Sequence, residues 1–303
     1  MTFKNRVLVS NILMLEERCR FDAVLRHMGY EPIWAEVRQF MDESQCLSLM
    51  GDIDGWLAGD DRITRRVLEA GVPRLKVIVK WGTGTDSIDR IAARELGVPV
   101  LNSPGAFADA VAEVAVGLLL MLTRNLGSID RAIRAGDWPK PCGVELRGRT
   151  MGLIGKGAIG SRIAELCEAF GMNVIFHDPF QAGSVEPLVV ARDADAVCLA
   201  CPLKPENFHM VNAKFLATMK PTAFLVNVAR GPLVDEPALI ATLNSGMIGG
   251  AALDVFEDEP LPVGSQLLKF DNVILSSHNA NNAIQAVEAV HANSLECLQR
   301  ALG

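Results

Sequence analysis

Residues 150–178 read TMGLIGKGAIGSRIAELCEAFGMNVIFHD. Their order decides the fold. The apolar run Thr150-Met151-Gly152-Leu153-Ile154 has the length of a buried strand and runs into Gly155-Lys156-Gly157-Ala158-Ile159-Gly160. Residues 161–170 then carry apolar side chains at helical spacing, and a second strand, 173–177, ends at Asp178, eighteen residues after Gly160. The first glycine permits a tight turn, the second lets backbone approach a pyrophosphate, and the third allows a helix to pack close to a strand. The N-terminus of that helix then faces an anion. Asp178 is placed to accept hydrogen bonds from a ribose, and its charge repels the additional phosphate of NADP. No arginine follows Asp178, which favours NAD, and His177 beside it is the one feature against. Glycines at this spacing are weak alone, and the competing reading is a turn that merely packs. Strand, glycines, helix, strand and acid in register make a dinucleotide site the stronger reading.

Outward from this segment the same alternation continues. Upstream, residues 7–9, 56–58, 75–79 and 98–101 read as strands, and 13–27, 63–70 and 88–96 as helices. Such alternation predicts parallel sheets covered on both faces. The segment DAVAEVAVGLLLMLTR, 109–124, is apolar around nearly its whole circumference, so this helix is expected between domains or against a second subunit. GDWPKPCGVELRG, 136–148, breaks helical continuity. Strand and helix signals then run to about residue 271, and 283–302 is a final helix.

With 303 residues, half of them apolar, the chain can build two ordinary cores. A net charge of −7 argues against a polyanion-binding surface and nucleic acid. The seven cysteines are odd in number, scattered and set in apolar surroundings, which predicts reduced core thiols in a cytoplasmic protein. Cys198 and Cys201 form a CxxC without a second ligand pair, and no cluster of metal ligands is visible. No signal peptide opens the sequence, and the longest apolar stretch, 111–122, is interrupted and too short for a bilayer.

Chemistry-bearing side chains gather after the later strands. Arg230 ends the run 223–229; its planar fork suits a carboxylate, and a strand exit in a parallel sheet is a ligand edge. His278 follows the run 272–277 in the same relation and is the natural acid–base. Glu259, in the acidic cluster Glu257-Asp258-Glu259, is a candidate to orient that imidazole. Each of the three has a bland reading as a solvated or locally paired side chain. His27, His177, His209 and His291 are expected to be structural or surface residues.

Taken together, residues 81–89 (WGTGTDSID), 102–106 (NSPGA), Ala112-Glu113, the glycine loop, 227–231 (NVARG), 254–260 (DVFEDEP) and His278 resemble the D-isomer-specific 2-hydroxyacid dehydrogenases over nearly the whole chain. Within that family they are most similar to the D-3-phosphoglycerate dehydrogenase branch. The resemblance implies an α/β fold of two doubly wound parallel-sheet domains, with a Rossmann-type NAD domain (104–279) inserted into a flavodoxin-like substrate domain (1–103 and 280–303). It implies NAD-dependent hydride transfer at C2 of a small, anionic 2-hydroxy or 2-oxo acid. Arg230 would bind the substrate, His278 exchange the proton and Glu259 hold His278, the intervals of 29 and 19 residues suiting the family pattern. Backbone groups of Trp81, Gly82, Thr83 and Gly84 would grip the carboxylate, with Lys80 near a substrate phosphate. Cofactor contacts would fall on Ser103, Gly155, Gly157, Ala158, Ile159, Gly160, Asp178, Cys201, Val228, Arg230, Asp254 and His278. A homodimer through the 109–124 region is expected. The chain stops at Gly303, so no C-terminal regulatory domain and no serine feedback are expected.

Departures from the family pattern are specific. Ala158 replaces the usual arginine, with Lys156 expected to compensate in part. Ser277 replaces a proline, Asn207 stands where threonine is common, and Asn279, Asn281 and Asn282 offer amides beside His278 or cap the last helix. Trp81 is bulkier than usual and is expected to narrow the pocket or stack on an aromatic substrate. Phosphoglycerate, glyoxylate, hydroxypyruvate and a phosphonate analogue all stay open as substrates. The reading from another class is a non-catalytic NAD-sensing protein-interaction module.

Overall fold

In the computed structural model, which describes residues 3–303, the chain divides into two compact units, Met1–Phe107 with Ile284–Gly303, and Ala108–Ala283. These limits fall four residues beyond those read from the sequence at both crossings, because each coincides with a helix start.

The first unit runs β1 (Asn5–Val9), α1 (Ile12–Glu16), α2 (Arg18–His27), β2 (Tyr30–Trp34), α3 (Glu43–Leu49), β3 (Gly55–Ala58), α4 (Arg65–Gly71), β4 (Val77–Lys80), α5 (Arg90–Glu95) and β5 (Val100–Leu101). Its five strands are all parallel in the order β2-β1-β3-β4-β5. This is the flavodoxin-like order. Every residue of β3 and β4 is buried, as a parallel strand covered on both faces requires. Two expected helices are reshaped. The 13–27 helix is broken at Glu17 into α1 and α2, which lets Met14 and then Phe21 and Leu25 reach the core. Ile63 bridges to Ile88, and α4 starts only after Thr64, whose hydroxyl accepts from Val67 N–H.

The second unit runs α6 (Ala108–Thr123), α7 (Leu126–Arg134), β6 (Thr150–Ile154), α8 (Ala158–Ala169), β7 (Asn173–His177), α9 (Pro187–Asp193), β8 (Ala196–Leu199), α10 (Ala213–Thr218), β9 (Phe224–Asn227), α11 (Glu236–Asn244), β10 (Gly250–Leu253) and β11 (Val273–Leu275). Its six parallel strands lie in the order β11-β10-β9-β8-β6-β7, so the winding reverses between β6 and β8. The chain then returns to the first unit as α12 (Ile284–Leu302), which packs on β3 and β4.

The helix over 109–124 packs chiefly within the second unit. Residues including Ala112, Ala115, Leu119 and Leu122 of α6 are buried within the second unit, against α8, β9, β10 and β11. Most of its apolar circumference is taken up by its own unit, while Val114, Leu120 and Met121 are only partly buried. The following helix, α7, has no buried residue and was not foreseen. No single helix among the described residues is long and apolar enough to cross a membrane.

Candidate active site

In open parallel sheets, ligands bind outside the carboxyl ends of the strands, where the winding reverses. At that point of the second unit, β6 and β8 flank a cavity of about 580 Å³, within the range of cofactor pockets. Gly155, Gly157, Asp178 and Cys201 line it together with Pro179 and Pro202. The glycines are dictated by close approach. A Cβ on Gly155 would stand 2.8 Å from the Ala200 carbonyl, and one on Gly160 would stand 2.1 Å from the Gly155 carbonyl oxygen. Gly157 meets nothing within 4 Å, so its backbone is open to a ligand, and α8 begins at the next residue. This arrangement fits a dinucleotide: tight glycine turn, helix N-terminus and acid at the end of β7.

Asp178 is held rigidly. One carboxylate oxygen accepts from Lys156 N–H (2.8 Å) and the other from Phe180 N–H (3.0 Å). The expected compensation by Lys156 is corrected, because its ammonium sits 4.0 Å from the centre of the Phe176 ring. The exposed Ala158 offers no side-chain donor, so anion contacts at this turn rest on backbone N–H groups. Ile159 lies in the first turn of α8. Asn207 staples the following loop, accepting from Lys204 N–H and donating to the Pro202 carbonyl and to Cys201 sulfur. Burial pushes the Cys201 thiol up to about 11. All seven cysteines are free thiols.

A second constellation forms at the carboxyl ends of β9, β10 and β11. Asn227, the last residue of β9 and buried, accepts from Ala229 N–H and donates to the Arg230 carbonyl, setting the backbone that carries the guanidinium. Arg230 Nη1 also donates to the Ala229 carbonyl at 2.7 Å. Gly231 admits no side chain, since a Cβ there would fall 1.8 Å from the Phe256 carbonyl oxygen. That contact docks the Arg230 turn on the segment carrying Glu259. Glu259 Oε2 stands 2.7 Å from His278 Nδ1, while its Oε1 accepts from Phe256 N–H. A carboxylate has no proton to give, so Nδ1 donates and Nε2 faces the other way, able to exchange a proton. His278 itself has φ +55°, an uncommon conformation for a side-chain-bearing residue, of the kind that concentrates at functional sites. Asp254 enforces it. Its carbonyl accepts from His278 N–H, and its buried carboxylate accepts from Asn279 and Ala280 N–H.

The acidic cluster is thereby sorted. Glu257 and Glu236 each accept, through a carboxylate oxygen, from the other's backbone N–H, and Glu257 Oε1 stands 2.9 Å from His209 Nε2, whereas Glu259 serves His278. Asn282 donates to the Asn279 side chain, so these amides are partly spent within their own turn. Val228 is buried beside Arg230.

The remaining candidates belong to the first unit. Ser103 is buried; its N–H donates to the Gly82 carbonyl and its hydroxyl accepts from Asn293. Among the described residues, none accepts from the N–H groups of Gly82, Thr83 or Gly84, three successive donors after β4. Two side-chain expectations are corrected. Lys80 is 4% exposed, with its ammonium 2.8 Å from the Trp81 carbonyl and 3.0 Å from Asp60, so it is neither a solvated strand end nor an uncommitted phosphate anchor. The Trp81 ring is 5% exposed and lies among Phe107 and His291, packed in the core instead of stacking on substrate. Its bulk is accommodated inward, because α12 brings His291 against it. Asn227 and His291 were not picked out in the sequence as site residues; a polar residue ending an apolar strand was the legible signal for Asn227.

The family model described as "D-isomer specific 2-hydroxyacid dehydrogenase, NAD binding domain" matches residues 116–280. The chain is 41% identical to a glyoxylate reductase of Thermofilum pendens, over 90% of this chain and 82% of that protein. It is 36% identical to a D-3-phosphoglycerate dehydrogenase of Methanocaldococcus jannaschii, over 88% of this chain but 53% of that one. Among solved structures it is similar to a D-lactate dehydrogenase from Aquifex aeolicus complexed with NAD and lactic acid, with a TM-score of 0.86, 26% identity and 97% and 94% of the two chains covered.

Proposed function

The chain belongs to the D-isomer specific 2-hydroxyacid dehydrogenases, NAD-using oxidoreductases, and from that premise we propose that it reduces a small monoanionic 2-oxo acid of the glyoxylate or hydroxypyruvate type. When bound, NAD supplies the hydride carrier. The protein's residues do the rest. Arg230 holds the carboxylate and carbonyl of the substrate through its fork, and the N–H groups of Gly82, Thr83 and Gly84 grip the carboxylate. His278 exchanges a proton with the substrate oxygen through Nε2, and Glu259 keeps the imidazole in the tautomer that allows this. Gly155, Gly157, Ala158, Ile159, Gly160 and Asp178 hold the dinucleotide, with Ser103, Cys201, Val228, Arg230, Asp254 and His278 as further contacts.

The observation that carries the substrate class is Lys80. In the phosphoglycerate reading this cation meets a phosphate, but here Asp60 already offsets its charge at 3.0 Å. A dianionic substrate would have to displace that carboxylate or sit beside it, and like charges close together are repelled.

The test is NADH oxidation by the purified protein with glyoxylate, hydroxypyruvate, phosphohydroxypyruvate, phenylpyruvate and phosphonopyruvate. Glyoxylate or hydroxypyruvate is expected to exceed phosphohydroxypyruvate in kcat/KM by about tenfold or more, and Asp60→Asn to narrow that gap. Preference for the phosphorylated acid by the unaltered protein overturns the substrate class. NADH binding without turnover of any acid favours the NAD-sensing module.

We further infer a cytoplasmic homodimer. The surface supporting it is α7, next in sequence to α6, where Leu126 is 50% and Ile133 42% exposed, followed by Trp138 at 77%. Sedimentation equilibrium is expected to give a dimer, and Leu126→Asp with Ile133→Asp a monomer of unchanged secondary structure. A monomeric unaltered protein would refute it.

A further inference from the structure

Trp81 begins the substrate loop, yet its side chain points away from it into the first unit. Its indole Nε1–H donates to His291 Nδ1 at 3.1 Å. His291 lies on α12 and is 1% exposed, with its ring 4.7 Å from that of Phe21. Because Nδ1 accepts the indole proton, Nε2 must carry the proton of the neutral ring. That atom is buried without a partner among the described residues, and so is the hydroxyl of Ser294 one turn along α12. Burial also lowers the His291 pKa, in keeping with a neutral ring. A leucine in this apolar niche would leave no orphaned N–H. What histidine adds is an acceptor for the Trp81 indole.

That acceptor closes a set of ties around residues 81–84. Trp81 N–H donates to the Ala58 carbonyl, and Lys80 Nζ donates to the Trp81 carbonyl. The Gly82 carbonyl accepts from Ser103 N–H, and the Thr83 carbonyl from Asn102 Nδ2 at 2.7 Å. Asn293, two residues beyond His291, donates to Ser103 Oγ at 2.7 Å and to the Asn102 carbonyl. Thus α12 reaches the loop twice, once through the indole and once through the 102–103 turn.

We propose that His291 is a positioning residue: by holding the Trp81 indole it fixes the loop backbone whose N–H groups receive the substrate carboxylate. The inference rests on the role given to that loop above. It acts on where the carboxylate is bound, not on proton exchange, so it predicts an effect on KM rather than kcat.

Amide hydrogen exchange at Trp81 and Ser103, whose N–H groups donate to the Ala58 and Gly82 carbonyls, tests it in the substrate-free protein without any turnover, alongside steady-state kinetics with the best oxo acid of the panel. His291→Leu and Trp81→Phe are each expected to speed exchange at residue 81 and at Ser103 by about tenfold. Each is also expected to raise KM about tenfold while kcat stays within about twofold. His291→Asn, which keeps an acceptor on a shorter side chain, is expected to return both towards the unaltered values. Unchanged exchange at residues 81 and 103 overturns the proposal, as does an equal rise across the whole first unit, or faster local exchange with an unchanged KM. If no oxo acid is turned over by the unaltered protein, the functional reading falls, while the exchange data still judge the Trp81–His291 tie on their own. Should the leucine variant not fold, Trp81→Phe and His291→Asn decide the matter.

Discussion

Arg230→Ala is expected to lower kcat/KM for the oxo acid by about 10²–10⁴-fold, a larger loss than in NADH binding. Each charge-assisted hydrogen bond is worth about 1.5–3 kcal/mol, and a guanidinium fork makes two, for a total of about 3–6 kcal/mol at roughly 1.4 kcal/mol per decade. Folding should survive the change. The backbone at this position is set by Asn227 and by the Gly231 approach to Phe256, neither of which uses the Arg230 side chain. Arg230→Lys restores the charge but not the planar fork, so it should recover only part of the loss. The measurement is steady-state NADH oxidation paired with NADH titration by fluorescence. A variant within about threefold of the unaltered kcat/KM would remove Arg230 from the substrate site.

His278→Asn is expected to cost about 10²–10⁴-fold in kcat, the usual worth of a positioned acid–base. Asparagine is the informative replacement because it tolerates the left-handed backbone found here, φ +55°, better than alanine does, so the loss reads as chemistry and not as strain. Glu259→Gln should lose less, about 10²-fold, because an amide can still accept or donate at Nδ1 but no longer fixes which. If the Glu259 variant kept full kcat, the 2.7 Å contact would be packing without catalytic consequence. If the His278 variant did, another group would have to exchange the proton. The Glu259 variant should bind NADH normally, since Glu259 neither lines the cavity flanked by β6 and β8 nor is assigned a cofactor contact.

Local signals carried much of the fold. The glycine turn, the following helix and the acid at 178 are contiguous in the chain, so the motif is legible locally, although Gly155 also owes its identity to the approach of the Ala200 carbonyl. Arg230 and His278 were legible because an isolated charged or titratable residue ending a buried apolar run stands out. The choice of Glu259 over Glu257 and Asp258 was not, on composition alone; it needed the resemblance, and in the folded chain a 2.7 Å contact distinguishes it. Strand β2 and helix α3 went unread because residues 30–49 mix apolar and polar positions without a clean period. The break at Glu17 was also invisible, since both halves are helical and only the core decides that they cannot be collinear.

Side-chain direction is where sequence reasoning ran out. Lys80, Trp81 and Lys156 were assigned by position along the chain, and each turned out to be committed to a neighbour far away in sequence or across a sheet. Lys80 is held by Asp60, Trp81 by His291 some 210 residues on, and Lys156 by Phe176. The sequence by itself determined the parallel architecture, the dinucleotide turn and the identity of the chemical groups, because those follow from periodicity, glycine sterics and residue type. Only the tertiary structure decided which charges are already neutralised and which rings are already packed, because burial and pairing depend on partners that chain order does not reveal.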